Sequence, residues 1–115
     1  MRYKALIVSI KGTKLSKKER ILFAKYKPWG VILFKRNLKN ISQIKSLIFD
    51  IKKLARNKKF PIIIDEEGGS VSRLSGLINH YISANFFGNL FSKNRNFCIN
   101  IYKQYIYSLI KTLNN

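Results

Sequence analysis

The chain has 115 residues, with 23 Lys and Arg against 5 Asp and Glu, a formal net charge of +18 and 46% hydrophobic residues. That apolar fraction excludes a disordered basic tail, and the length suits one domain or one piece of a larger one. The longest largely apolar run, residues 5–10, falls far short of the ~20 residues that cross a bilayer. No small-residue cleavage site marks a secretory leader, so no membrane partner and a cytoplasmic location are expected. A single cysteine, Cys98, excludes an internal disulfide and a multi-cysteine zinc site. A single histidine, His80, argues against a His-rich metal centre.

Such a charge first suggests nucleic acid. Lys, Ile and Asn, however, supply 17, 17 and 11 residues. All three have AT-rich codons, so base composition alone can load a chain with lysine. The lysines are scattered and their runs stop at two, as at Lys17-Lys18, Lys52-Lys53 and Lys58-Lys59. Arginine, the better reader of bases and phosphates, is scarce. Weak, sequence-independent, salt-sensitive binding to polyanions is expected, and no specific nucleic-acid partner.

In chain order, residues 6–10 read as a short buried strand broken by Gly12. Ser16 with Glu19 forms a capping-box pattern that opens a helix through about Tyr26. Pro28-Trp29-Gly30 should end it, and residues 31–34 form an all-apolar strand suited to burial on both faces. Arg36-Asn37 fall in a polar loop. Asn40 with Gln43 caps an amphipathic helix marked by Ile41, Ile44, Leu47, Ile48, Ile51, Leu54 and Ala55. Residues 61–64 give a third apolar strand ending at Asp65, and Gly68-Gly69 force a turn. Residues 74–94 read as irregular, and Cys98 to Leu113 as a final helix with Cys98 in its core. The alternation implies an α/β fold with a parallel sheet.

Functional groups in such folds gather after the carboxyl ends of strands. Two polar clusters sit there: Arg36-Asn37, and Asp65-Glu66-Glu67-Gly68-Gly69. Three consecutive carboxylates in so basic a chain are not explained by composition. At strand spacing Asp65 and Glu67 would lie on one face, roughly 6 to 7 Å apart, as a glycosidase-type pair. The more economical reading is that one carboxylate caps the following backbone while another pairs with Arg36 or Arg73. His80 has no Ser or Cys partner in the pattern and reads as a surface residue.

These residues also carry a resemblance. Gly30-Val31-Ile32-Leu33-Phe34-Lys35-Arg36-Asn37, then 27 residues, then Asp65-Glu66-Glu67-Gly68-Gly69-Ser70-Val71-Ser72-Arg73-Leu74 resembles the amino-terminal region of glycoside hydrolase family 3. The similarity is greatest to its bacterial β-N-acetylhexosaminidase branch and continues more weakly through residues 83–88. The resemblance implies that residues 1–115 are about the first third of a (β/α)8 TIM-type barrel, truncated, since a complete barrel needs about 250 residues. It further implies retaining hydrolysis of terminal β-linked N-acetylglucosamine, often from peptidoglycan fragments, with no metal or other cofactor. Asp65 and Arg73 map onto the family's sugar-hydroxyl ligands.

The family's acid/base histidine, nucleophilic aspartate and Lys-His motif have no counterpart in these residues, so no catalytic residue is assigned. Two alternatives to a glycosidase fragment stand beside it. One is a noncatalytic sugar-binding module, or a half-enzyme completed by a separately encoded remainder of the barrel. The other is a small polyanion-binding protein.

Overall fold

A computed structural model describes the backbone of residues 3–78 and 82–114. The chain begins with β1 (Lys4–Ser9), α1 (Lys17–Tyr26) and β2 (Pro28–Leu33). A single 3-10 turn over Lys35–Asn37 leads to α2 (Ile41–Ala55) and β3 (Ile62–Ile64), and the chain ends in α3 (Ala84–Lys93) and α4 (Arg95–Asn114). Among the described residues, no helix is long and apolar enough to cross a membrane.

The three strands form one parallel sheet in the order β1-β2-β3, with Val31, Ile32 and Leu33 of β2 opposite Ile62, Ile63 and Ile64 of β3. Parallel strands need crossover connections, and α1 and α2 supply them. The parallel sheet implied by the alternation is observed, with β2 and β3 as neighbours. Gly30 allows β2 and β3 to approach closely, because a Cβ there would lie 3.2 Å from the Pro61 carbonyl oxygen.

Both crossover helices start where side chains satisfy their first N–H groups. The Ser16 hydroxyl accepts from the Glu19 N–H, while the Glu19 carboxylate accepts from the N–H groups of Ser16 and Lys11. The Asn40 side chain accepts from the Gln43 N–H at 2.8 Å and opens α2. Each helix stops at a residue in the left-handed region, Lys27 at φ 47° and Arg56 at φ 52°. Because Lys27 already ends α1, Pro28-Trp29-Gly30 do not act as its terminator. They form the first half of β2, with Pro28 at the strand's first position, where its missing N–H is tolerated.

The core lies between sheet and helices. Val31 and Leu33, two apart on β2, are fully buried with Leu47 and Ile51 of α2, Phe23 of α1, Ile10 and Phe60. At 25 cal/mol per Å² of apolar area, each large side chain contributes about 1.5–3 kcal/mol.

Residues 74–94 are not irregular throughout, because α3 occupies Ala84–Lys93. Its serines and asparagines are boundary or surface residues rather than breakers. The Ser83 side chain caps α3, and the Asn94 side chain accepts from the Phe97 N–H at the start of α4. Asn85, Asn89 and Ser92 face solvent, while Phe87 and Leu90, three apart, are half-buried. The Phe87 ring meets Tyr102 of α4 edge-on at 4.9 Å, and its carbonyl receives the Cys98 thiol at 3.3 Å. Cys98 is buried, as expected for a core residue.

With this hairpin the molecule extends over 52 × 28 × 22 Å, and its radius of gyration is 16.6 Å. A compact chain of this length would be near ~13 Å. Leu6 and Ile7 on the edge strand β1, and Trp29 on β2, remain about half exposed.

Asn37 ties the sheet together. Fully buried, it donates to the carbonyls of Ile10 (3.1 Å) and Gly12 (2.8 Å) and accepts from the Phe34 N–H (2.9 Å). Asn37→Ala leaves the Gly12 carbonyl and the Phe34 N–H without this partner, while the Ile10 carbonyl keeps Arg36, and should cost about 2–4 kcal/mol. Asn37→Asp should cost at least as much at neutral pH, because its buried carboxylate would face two carbonyl oxygens. Urea unfolding followed by circular dichroism measures both.

The Glu19 cap makes stability depend on pH. Desolvation pushes its carboxyl up, but the hydrogen bonds from Ser16 and the Lys11 and Ser16 N–H groups, with the Lys11 charge, outweigh this and hold it below its ordinary value. A depressed carboxylate stabilises the fold above its unfolded pKa, and the benefit is lost as pH falls through the folded one. Glu19→Gln should therefore be less stable than the parent at neutral pH and converge with it in acid.

Candidate carbohydrate site after the third strand

The segment after β3 is held by its own side chains. Glu66 accepts from the Gly68 N–H at 3.0 Å and from the Leu74 N–H at 2.8 Å, which closes the loop across eight residues. Val71 N–H returns to the Gly68 carbonyl at 3.2 Å. Gly68 and Gly69 adopt φ of 79° and 60°, where a side chain is strained. Space forbids one as well, since a Cβ on Gly68 would lie 2.6 Å from the Ile82 carbonyl oxygen and one on Gly69 2.9 Å from Ser83 Cβ. Leu74 and Ser72 are buried and anchor the far side of the loop.

This loop brings Asp65 and Arg73 together. The Arg73 guanidinium lies 3.8 Å from the Asp65 carboxylate, with the two side chains 26% and 51% exposed. The separation exceeds hydrogen-bond length. The pair therefore consumes little of either group's bonding capacity, and both stay accessible. A carboxylate that accepts and a guanidinium that donates in a fixed fork suit adjacent sugar hydroxyls.

The other acids take different roles. Glu66 is the turn-capping carboxylate, so the economical reading of the acidic triplet describes the geometry: one caps the backbone while another pairs with Arg73. Glu67 faces solvent. Because β3 ends at Ile64, strand spacing does not continue through Asp65 and Glu67, and the basis for a strand-borne pair is absent.

Arg36 turns away from the acids, stacking on Phe34 at 4.8 Å and donating to the Ile10 carbonyl at 3.2 Å. Asn37 is a buried structural tie rather than a ligand-facing group. The expected polar cluster after β2 is thus spent on the fold. His80 lies outside the described residues. Among the described residues, no group of three His, Cys, Asp or Glu side chains is placed to hold a metal ion.

Sequence reasoning missed Tyr105 of α4. Its hydroxyl lies 3.8 Å from where a Gly68 Cβ would stand. Burial, then the Glu66 charge, then Tyr102 push its pKa up, so the phenol stays protonated. Only its helical spacing was visible in the sequence, which says nothing about which loop it meets.

No family model matches the chain. Curated relatives named beta-hexosaminidase do. The protein of Psychromonas ingrahamii is 36% identical over 89 residues, 77% of this chain and 25% of that protein. The protein of Alkalilimnicola ehrlichii is 40% identical over 68 residues, 59% of this chain and 19% of that protein. Among solved structures, NagZ from Neisseria gonorrhoeae in complex with N-trifluoroacetyl-D-glucosamine superposes with a TM-score of 0.66 at 30% identity, covering 80% of this chain and 27% of that one. A glycoside hydrolase family 3 beta-N-acetylglucosaminidase from a Paenibacillus species superposes with a TM-score of 0.55 at 30% identity, covering 61% of this chain and 14% of that one.

The matched stretch is similar to an amino-terminal part of proteins named beta-hexosaminidase and of solved family 3 structures. The chain spans about a quarter of the length of the first curated relatives it matches. The α/β arrangement with its three-stranded parallel sheet is similar to the matched part of the NagZ structure.

The Glu66 interactions are testable without a ligand. Glu66→Ala should leave the β1–β3 sheet folded but open the 66–74 loop, which limited proteolysis and amide exchange of Gly68 and Leu74 would report. Unchanged protection at both amides would show that the glycine turn holds without Glu66.

Proposed function

We propose that residues 1–115 are part of the amino-terminal domain of a glycoside hydrolase family 3 enzyme, a portion of a (β/α)8 barrel that hydrolyses terminal β-linked N-acetylhexosamine. In this reading Asp65 and Arg73 hold hydroxyls of the terminal sugar. The observation that carries it is their meeting at the carboxyl end of β3, where α/β folds place ligand groups. Relatives named beta-hexosaminidase, and a similar structure described in complex with an N-acylglucosamine, supply the sugar class. Peptidoglycan fragments in the cytoplasm are the substrate pool this reading implies, with no metal or cofactor.

Retaining glycoside hydrolysis needs a nucleophile and a proton donor about 5–5.5 Å apart. Asp65 beside Arg73 is instead a hydroxyl-binding pair, so these residues contribute recognition and the bond-breaking groups come from the remainder of the barrel. Each charged hydrogen bond to a hydroxyl contributes about 1.5–3 kcal/mol at best. The second reading, a sugar-binding module or complementing half, rests on the same pair and differs only in whether that remainder exists and where it is encoded.

The 115-residue chain alone should release no p-nitrophenol from p-nitrophenyl N-acetyl-β-glucosaminide. Supplying the rest of a family 3 barrel, fused or in trans, should restore turnover, and Asp65→Ala should then lower kcat/KM by at least about 100-fold, two hydrogen bonds' worth. Turnover by the chain alone, lost on Glu67→Gln, would overturn the assignment.

A further inference from the structure

A second site lies at the opposite end of the sheet. The carboxylate loop follows the carboxyl end of β3, whereas a cleft of about 570 Å³ opens at the amino ends of the strands, beside Pro28 of β2 and Phe60 just before β3. That volume falls within the range of small-molecule sites, roughly 300–1,000 Å³. Four cations line it, Arg20, Lys27, Lys53 and Arg56, against one acid, Asp50. Asp50 is engaged by Arg20 at 2.7 Å. Lys53 sits over the Phe49 ring at 6.0 Å. Neither Lys27 nor Arg56 has an acidic partner among the described residues. Half-buried Tyr3 and buried Phe23 and Phe60 supply an apolar wall.

A basic chain has basic clefts by composition, so the cations alone would not distinguish this one. The backbone does. Lys27 and Arg56 are the only non-glycine residues with positive φ among those described, and both line this cleft. Each is the residue that ends a crossover helix, the position where glycine serves without strain. A lysine or arginine there complements the helix dipole from any nearby position in the last turn, so that role does not require the strained residue itself. Both charged turn residues border one space between the two helix ends.

We propose that this cleft binds a small phosphorylated molecule with a ring-bearing body, such as a nucleoside diphosphate. Arginine and lysine together suit phosphate oxygens, Arg56 as a planar fork and Lys27 as a point charge. The apolar wall takes the ring. The site is independent of Asp65 and Arg73, so its outcome does not bear on the sugar reading.

The test is calorimetric titration of the 115-residue chain with ADP and with pyrophosphate at about 150 mM salt, which screens nonspecific attraction over about 8 Å. Lys27→Gly and Arg56→Gly remove the charges while favouring the backbone already present, so circular dichroism and Tm should show folding retained. Each should weaken ADP binding at least about tenfold, while Lys103→Ala on exposed α4 should leave it unchanged. ADP should bind more tightly than pyrophosphate. Absence of ADP binding at this salt, or equal weakening by Lys103→Ala, would overturn the site. Equal affinity for pyrophosphate would overturn the role of the apolar wall.

Discussion

One buried amide sets the geometry on which the rest depends. Asn37 joins the residue after β1, the loop beyond it and the residue after β2 through a donor pair and one acceptor. No apolar residue of that size satisfies two carbonyls and one N–H, and a buried carbonyl left unmet costs more than the bond contributes. The amide therefore fixes how far β1 extends beside β2 and where the chain turns to enter α2. Gln43 continues the same lattice, donating from its side chain to the carbonyls of Thr13 and Asn37. The carboxyl end of the sheet is consequently held by side-chain amides, although its strands are only three to six residues long.

That rigidity matters because the following segment organises itself locally. Three adjacent carboxylates separate into three environments: Glu66 folds back onto two amides, Asp65 meets Arg73, and Glu67 faces water. The glycine turn makes this separation geometrically available. Close approach of Ile82 and Ser83 to the two glycines then brings the start of α3 against the loop, and Tyr105 of α4 reaches the same turn. The candidate site is thus built by β3, its own loop and the helical hairpin.

Much of this was legible in the sequence where one local rule dominated. The Ser16/Glu19 box, the Asn40 cap and the 41–55 periodicity specify α1 and α2 because capping and amphipathicity act within a few residues. The apolar runs gave parallel neighbouring strands. Pro28-Trp29-Gly30 misled because a left-handed Lys27 ends the helix before proline is needed, which no local rule assigns to lysine. The 74–94 segment misled because asparagine and serine mark both loops and helix boundaries; only packing of Phe87 on Tyr102 decides between them. In the site, spacing left open which carboxylate would pair and whether with Arg36 or Arg73; Asp65 and Arg73 were singled out by the family resemblance alone. Asn37 did not reveal its burial, since a polar residue after a strand looks the same whether it serves ligand or fold.

Charge is distributed unequally along the sheet axis, and this ties the two ends of the molecule together. At the amino ends four cations surround a single acid. At the carboxyl end of β3 three acids stand together, and Arg36 is withheld from them by its stack on Phe34 and its bond to Ile10. Asp65 therefore meets one guanidinium, at a distance that leaves both groups open to a polar ligand. Had Arg36 pointed into the loop, a second cation would have closed the carboxylate into a tight pair and removed an acceptor. The surrounding positive field lowers the electrostatic cost of setting three carboxylates side by side. A basic composition, whatever its origin, has thus made room for an acidic loop that needs only one direct counter-ion.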